Sequence, residues 1–138
     1  TSDGWSIQDS VVLANRLKDI GVDVIDCSSG GISGSATASG LAKRQPGFQV
    51  PYAAQVRAAT GMKTMTVGLI TDAKQAEEIL NDRSADLIAI GREALANPNW
   101  PLHAAKALFD YDNFENWPKQ SGWWLKRRTE TCDAYRPV

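Results

Sequence analysis

The chain has 138 residues, 43% hydrophobic and 22% charged, which is the composition of an ordinary soluble globular protein. Lys and Arg number 15 against 16 Asp and Glu, so the net charge is −1 and the pI about 5.8, and neither nucleic acid nor a membrane surface is expected as a partner. No apolar run reaches the length of a membrane span, and Thr1-Ser2-Asp3-Gly4-Trp5 has no leader pattern and no initiator Met, which points to a start elsewhere.

Ser6-Ile7-Gln8-Asp9 reads as a capping box with Asp in place of Glu, and Ile7, Val11, Ala14 and Leu17 recur at helical spacing behind it. A helix over 7–20 follows, ended by Gly21. The β-branched run 22–27 is a strand opening into the Gly/Ser cluster from Ser28 to Gly34, and the unpatterned segment 28–49 is too long for a plain connector. Pro51 suits the first turn of a helix that ends at Gly61. A strand over 63–67, closed by Gly68, precedes a helix capped by Thr71 with Ala76, Ile79 and Leu80 inward. Next come a nearly all-apolar strand over 85–90, closed by Gly91, and a helix over 99–109 burying Leu102, Ala105, Leu108 and Phe109.

Strands alternating with helices predict an α/β fold with a parallel sheet. Three strands are few. Such sheets are buried on both faces, a doubly wound domain of this size carries about five strands, and a (β/α)₈ barrel needs about 250 residues. The chain therefore reads as a small open sheet or as part of a larger barrel.

Ligands of parallel α/β folds bind at the carboxyl ends of the strands. Cys27-Ser28-Ser29-Gly30, Val67-Gly68-Leu69 and Gly91-Arg92-Glu93 all fall there. The glycines allow close backbone approach, and the Arg92 fork suits a phosphate. Equally, Gly68 and Gly91 serve as turn residues and Arg92 as partner of a carboxylate. Cys27 and Cys132, the only cysteines, form neither a metal-ligand spacing nor a disulfide framework, and a reducing cytoplasm is the expected location. Cys27 reads as a small core residue and His103, the only histidine, as a partly exposed helix residue. Asp23 and Asp86 sit at the opposite strand ends, where they cap or pair.

Five segments in one order carry a more specific signal: Val24 to Gly30, Pro46-Gly47-Phe48-Gln49-Val50-Pro51, Val67 to Thr71, Ala76 to Leu80, and Ala85 to Glu93. With Asn97-Pro98 and Trp100-Pro101 after them, this order resembles the C-terminal part of the Old Yellow Enzyme family of NADH:flavin oxidoreductases. The resemblance lies with the branch of bacterial NADPH dehydrogenases and xenobiotic reductases, from about Trp5 to about Trp124.

That resemblance implies an FMN-dependent ene-reductase on a (β/α)₈ TIM barrel, in which NADPH reduces the flavin and hydride then passes to an activated alkene such as an enone. It implies that Gly91 and Arg92 hold the FMN phosphate, with Gly68 and its neighbours donating backbone N–H groups to it. Ser28 or Ser29 would face the ribityl chain or flavin edge, and Val67 the dimethylbenzene side. The family's substrate-gripping His pair or His/Asn pair, proton-donating Tyr, and flavin-contacting Arg and Gln match nothing here, so no catalytic residue is expected in this chain. By the same token residues 1–128 would be strands six to eight with their helices, incomplete and inactive without an N-terminal portion on a separate polypeptide.

Residues 129–138 would form a tail. Trp117, Trp123 and Trp124 precede Lys126-Arg127-Arg128, either as a solvated basic segment or, as in the family branch, with Trp124, Trp123 or Arg127 entering a neighbouring subunit's substrate pocket in a homo-oligomer. Two other readings stand beside this one. A dihydrouridine-synthase-like flavoenzyme shares the Gly-Arg motif but would need a basic face for tRNA, and a non-catalytic half-barrel would be a flavin-free monomer.

Overall fold

The computed structural model describes residues 4–30, 44–109 and 114–132. Its elements in chain order are α1 (Ile7–Asp19), β1 (Val24–Cys27), α2 (Val50–Thr60), β2 (Lys63–Thr66), α3 (Ala73–Asn81), β3 (Leu87–Ile88), α4 (Arg92–Ala96), α5 (Trp100–Phe109) and α6 (Lys119–Cys132). The expected alternation is present, and the three strands form one parallel sheet in the order β1-β2-β3.

Local chemistry sets the helix ends. Ser6 and Asp9 form the reciprocal capping box, the Ser6 N–H donating to Asp9 Oδ2 at 2.8 Å and the Asp9 N–H to Ser6 Oγ at 3.2 Å. The Ser6 bonds hold the Asp9 carboxyl below the usual carboxylate range. At the other end Gly21 (φ 92°) donates to the Lys18 carbonyl and Val22 to that of Leu17, the paired bonds of a Schellman motif. Helix α3 differs from expectation. Its cap is Asp72, whose Oδ1 accepts from the Gln75 N–H at 2.9 Å, because only a side chain one residue further on reaches that orphan donor. Thr71 instead offers its carbonyl to the Trp100 indole at 2.7 Å, which ties α5 to the start of α3.

Residues opposite one another on parallel strands share a face. Ile25 lies across from Thr64, and Cys27, Thr66 and Ile88 lie across from one another. This face meets the helices: Cys27 joins Ala14, Ala53, Val56, Ala76 and Ile79 in the buried core, with Ile25 and Ile88 packed against it. Thr64 and Thr66 are fully buried there, each with an Oγ1 that has no hydrogen-bond partner among the described residues. On the opposite face Asp26, Met65 and Leu87 align, and none of the three belongs to the core cluster. Leu87 is 48% exposed and Asp26 is exposed.

Two expectations are corrected. The strand expected over 85–90 pairs only at Leu87 and Ile88, although the flanking Asp86 and Ala89 N–H groups still donate to the Thr64 and Thr66 carbonyls at 2.9 and 2.8 Å. Helix α5, which packs on α3, contains no fully buried residue, and Phe109 is 55% exposed. In addition, α6 runs unbroken across the expected tail boundary at 128/129.

At the amino ends of the strands, Asp86 takes two parallel bonds from Arg57, at 2.9 and 3.0 Å, and a third from the Thr64 N–H at 3.0 Å. These join α2 to β2 and to the start of β3. The Arg57 bonds, helped by the Thr64 N–H, hold the Asp86 carboxyl below its ordinary range, and the same pairing raises the Arg57 guanidinium.

Candidate functional site

The carboxyl ends of β1, β2 and β3 open into one cleft of about 550 Å³. Ser29, Val67, Gly68, Gly91 and Arg92 all line it, so five of the six residues expected to hold the cofactor come together. The sixth, Ser28, lines an adjoining cleft with Asp26 and Cys27, and Ser29 forms part of the wall of both.

Each wall has a local cause. After β2 the chain turns through two consecutive residues with positive φ, Gly68 at 130° and Leu69 at 55°. A Cβ on Gly68 would stand 3.0 and 3.1 Å from two Phe48 ring carbons, so the glycine is required twice, by its backbone angle and by the aromatic ring packed on it. The Gly68 carbonyl accepts from the Gly47 N–H at 2.7 Å, which fastens this turn to the segment leading into α2. After β3, Gly91 precedes the short helix α4, whose first residues, Arg92 and Glu93, line the cleft. A Cβ on Gly91 would meet nothing within 4 Å, so its missing side chain leaves the cleft open at that point.

Two further residues of the cleft, Phe48 and Gln49, carry no role in the sequence beyond membership of a motif. Phe48 forms an apolar wall, with the Arg44 guanidinium 5.6 Å from its ring centroid. Gln49 is 6% exposed, and its Oε1 accepts from both the backbone N–H and, at 3.2 Å, the hydroxyl of Ser29. Only the second bond of a buried glutamine to a residue 20 positions earlier reveals it, and no pattern of spacing announces such a bond.

The remaining candidates lie elsewhere. Cys27 is buried, and that burial, together with Asp26, pushes its thiol up, which suits a core residue and not a nucleophile. His103 is exposed on α5, edge-on to Trp117 at 5.2 Å. On α6, Trp123 and Trp124 meet edge to face at 4.5 Å, and the Arg127 guanidinium sits 3.9 Å from the Trp123 ring centroid. Trp124 is 64% exposed, and none of these three residues lines the cleft. Among the described residues no cluster of His, Cys, Asp and Glu could hold a metal ion, and no helix is long and apolar enough to cross a membrane.

A family model described as the NADH:flavin oxidoreductase / NADH oxidase family matches residues 1–110. An NADPH dehydrogenase of Geobacillus thermodenitrificans (strain NG80-2) is 45% identical over 106 residues, which cover 77% of this chain and 30% of that relative. The NADPH dehydrogenase of Geobacillus sp. (strain WCH70) gives the same identity and coverage. The chain thus spans 30% of the length of the curated relatives it matches.

Proposed function

The chain belongs to the NADH:flavin oxidoreductase / NADH oxidase family, whose cofactor is FMN, and from that premise we propose that it supplies the FMN phosphate site of an NADPH-dependent ene-reductase. The observation that carries this reading is the convergence of Gly68, Gly91 and Arg92 on one cleft at the carboxyl ends of three parallel strands.

The donor set fits the cofactor. Arg92 brings a planar, permanently charged fork that pairs with a phosphate through two hydrogen bonds. Turns gather successive backbone N–H groups into anion-binding concavities, and Gly68 and Leu69 form a turn on the wall of this cleft. The open space at Gly91 admits a group close to the backbone. Beside this polar end, Val67 and Phe48 offer apolar surface suited to the flavin ring, and the Ser29 hydroxyl a polar contact for the ribityl chain. When bound, FMN would supply the hydride-transfer chemistry between NADPH and an activated alkene such as an enone. The work of this chain is to bind and orient. It holds the phosphate end, so that the face of the flavin is presented to groups outside these 138 residues.

The uncovered sheet face completes the proposal. Parallel sheets are buried on both faces, yet Met65 and Leu87 lie outside the core. We assign the three strands to positions six to eight of a (β/α)₈ barrel, with an N-terminal portion on a separate polypeptide covering that face and contributing the substrate-gripping and proton-donating residues. The chain alone is then inactive. In the assembled, cytoplasmic homo-oligomer, Trp124, with Trp123 and Arg127 beside it, reaches the substrate pocket of a neighbouring subunit. Native mass spectrometry of the isolated protein tests this. A complex of this chain with a second polypeptide of roughly 220 residues and FMN is expected from barrel size, and a lone flavin-free 15.0 kDa chain overturns the proposal.

A further inference from the structure

Residues 46–49 sit between two of the three loops that form the cleft. On one side the Gly47 N–H donates to the Gly68 carbonyl at 2.7 Å, and the Phe48 ring lies against Gly68. On the other side Gln49 Oε1 accepts both the backbone N–H and the hydroxyl of Ser29, in the loop that follows β1. Gln49 is also the N-cap of α2, yet its side chain makes no bond to its own helix. A long polar side chain is buried and bonded to a residue 20 positions earlier, in the loop that follows β1. Burying an amide is costly unless it is hydrogen-bonded, so this arrangement persists because both of its bonds are made.

We infer that Gln49 is a positioning residue, whose side-chain oxygen locks the Ser29 loop to the Gly68 turn and so sets the spacing between the groups that contact the ribityl chain and the phosphate of FMN. This rests on the FMN reading above. The backbone bond matters more than the hydroxyl bond, because it fixes the loop itself, so Gln49 governs a distance to which Ser29 adds only one contact.

The test uses the complete flavoprotein and reads the FMN dissociation constant and the visible flavin spectrum. Gln49→Met keeps the length and removes the acceptor. It is expected to weaken FMN binding about tenfold, as for one or two lost hydrogen bonds, and to shift the flavin absorption. Gln49→Glu, at a pH where the carboxylate is ionised, restores the acceptor and is expected to bind FMN within about threefold of the unaltered protein. Ser29→Ala keeps the backbone N–H and is expected to lose less than Gln49→Met. A glutamine that only supports the fold would change unfolding stability in Gln49→Met without moving the FMN dissociation constant or the flavin spectrum of the folded protein.

Outcomes separate cleanly. An unaltered protein that does not bind FMN overturns the functional reading and this inference together. Normal binding in the unaltered protein, with an unchanged spectrum and affinity in Gln49→Met, overturns the role of Gln49 alone. Should Gln49→Met fail to fold, the Glu and Ser29→Ala variants decide: weak binding by Glu, or a larger loss in Ser29→Ala than in Glu, overturns it, and the reverse order supports it.

Discussion

Gly68→Ala adds a single methyl at a position where backbone angle and side-chain packing both oppose it. The backbone at Gly68 has φ 130°, a value that L residues rarely adopt, and holding alanine there costs about 2 kcal/mol. The added methyl also lies 3.0 and 3.1 Å from the Phe48 ring, which must retreat by a few tenths of an ångström, for about 1 kcal/mol of overpacking. The total of about 3 kcal/mol is a large fraction of the stability of a typical domain. Urea unfolding followed by tryptophan fluorescence reads it as a lowered midpoint with unchanged slope. Combining Gly68→Ala with Phe48→Ala separates the two parts, because removing the ring relieves the contact and leaves the backbone strain. If Gly68→Ala unfolds within about 0.5 kcal/mol of the unaltered protein, or if Phe48→Ala removes the whole penalty, the argument from backbone conformation is refuted.

Arg92→Ala is expected to weaken FMN retention by about 2 kcal/mol, roughly thirtyfold, and unchanged affinity in equilibrium dialysis would remove Arg92 from the phosphate site. Ser6→Ala breaks the capping box and should cost about 1 kcal/mol in thermal or denaturant unfolding; no loss would mean that α1 is held by packing alone. The Asp86 carboxyl titrates below its ordinary range when folded, so its contribution is present above the unfolded pKa and is lost as pH falls through the lower folded value. The difference in melting temperature between Asp86→Asn and the unaltered protein should therefore be constant near neutrality and shrink below about pH 4, and a gap that persists undiminished at pH 2–3 contradicts the pairing. A thiol reagent should label half-exposed Cys132 well before buried Cys27, whose thiol is also pushed up; equal rates would show that Cys27 is open to solvent.

Much of the site was legible because it is written in local chemistry. Gly68, Gly91 and Arg92 stand directly after apolar strands, and a parallel strand delivers whatever follows it to the same edge of the sheet. Helix α1 was equally readable, since its cap, its apolar spacing and its Gly21 terminator all act within a few residues of one another. Gln49 was not, because its value lies in a bond to Ser29, and a buried glutamine and a solvated one look alike in a sequence. The cap of α3 was displaced by one residue for a related reason. Thr71 and Asp72 are both good caps by residue type, and the side chain that meets the Gln75 N–H is that of Asp72.

The sequence by itself therefore determined the element order, the α/β class, the family and the identity of the groups at the strand ends, since each depends on residue type and short-range spacing. Only the tertiary structure decided how those groups are held. The pairing of β3 over Leu87 and Ile88 only, and the exposure of Leu87 on the sheet face away from the core, are set by packing between elements far apart in the chain. The bracket from Ser29 through Gln49 to Gly68 likewise depends on contacts between residues far apart in the chain, whose partners are chosen by packing and not by adjacency.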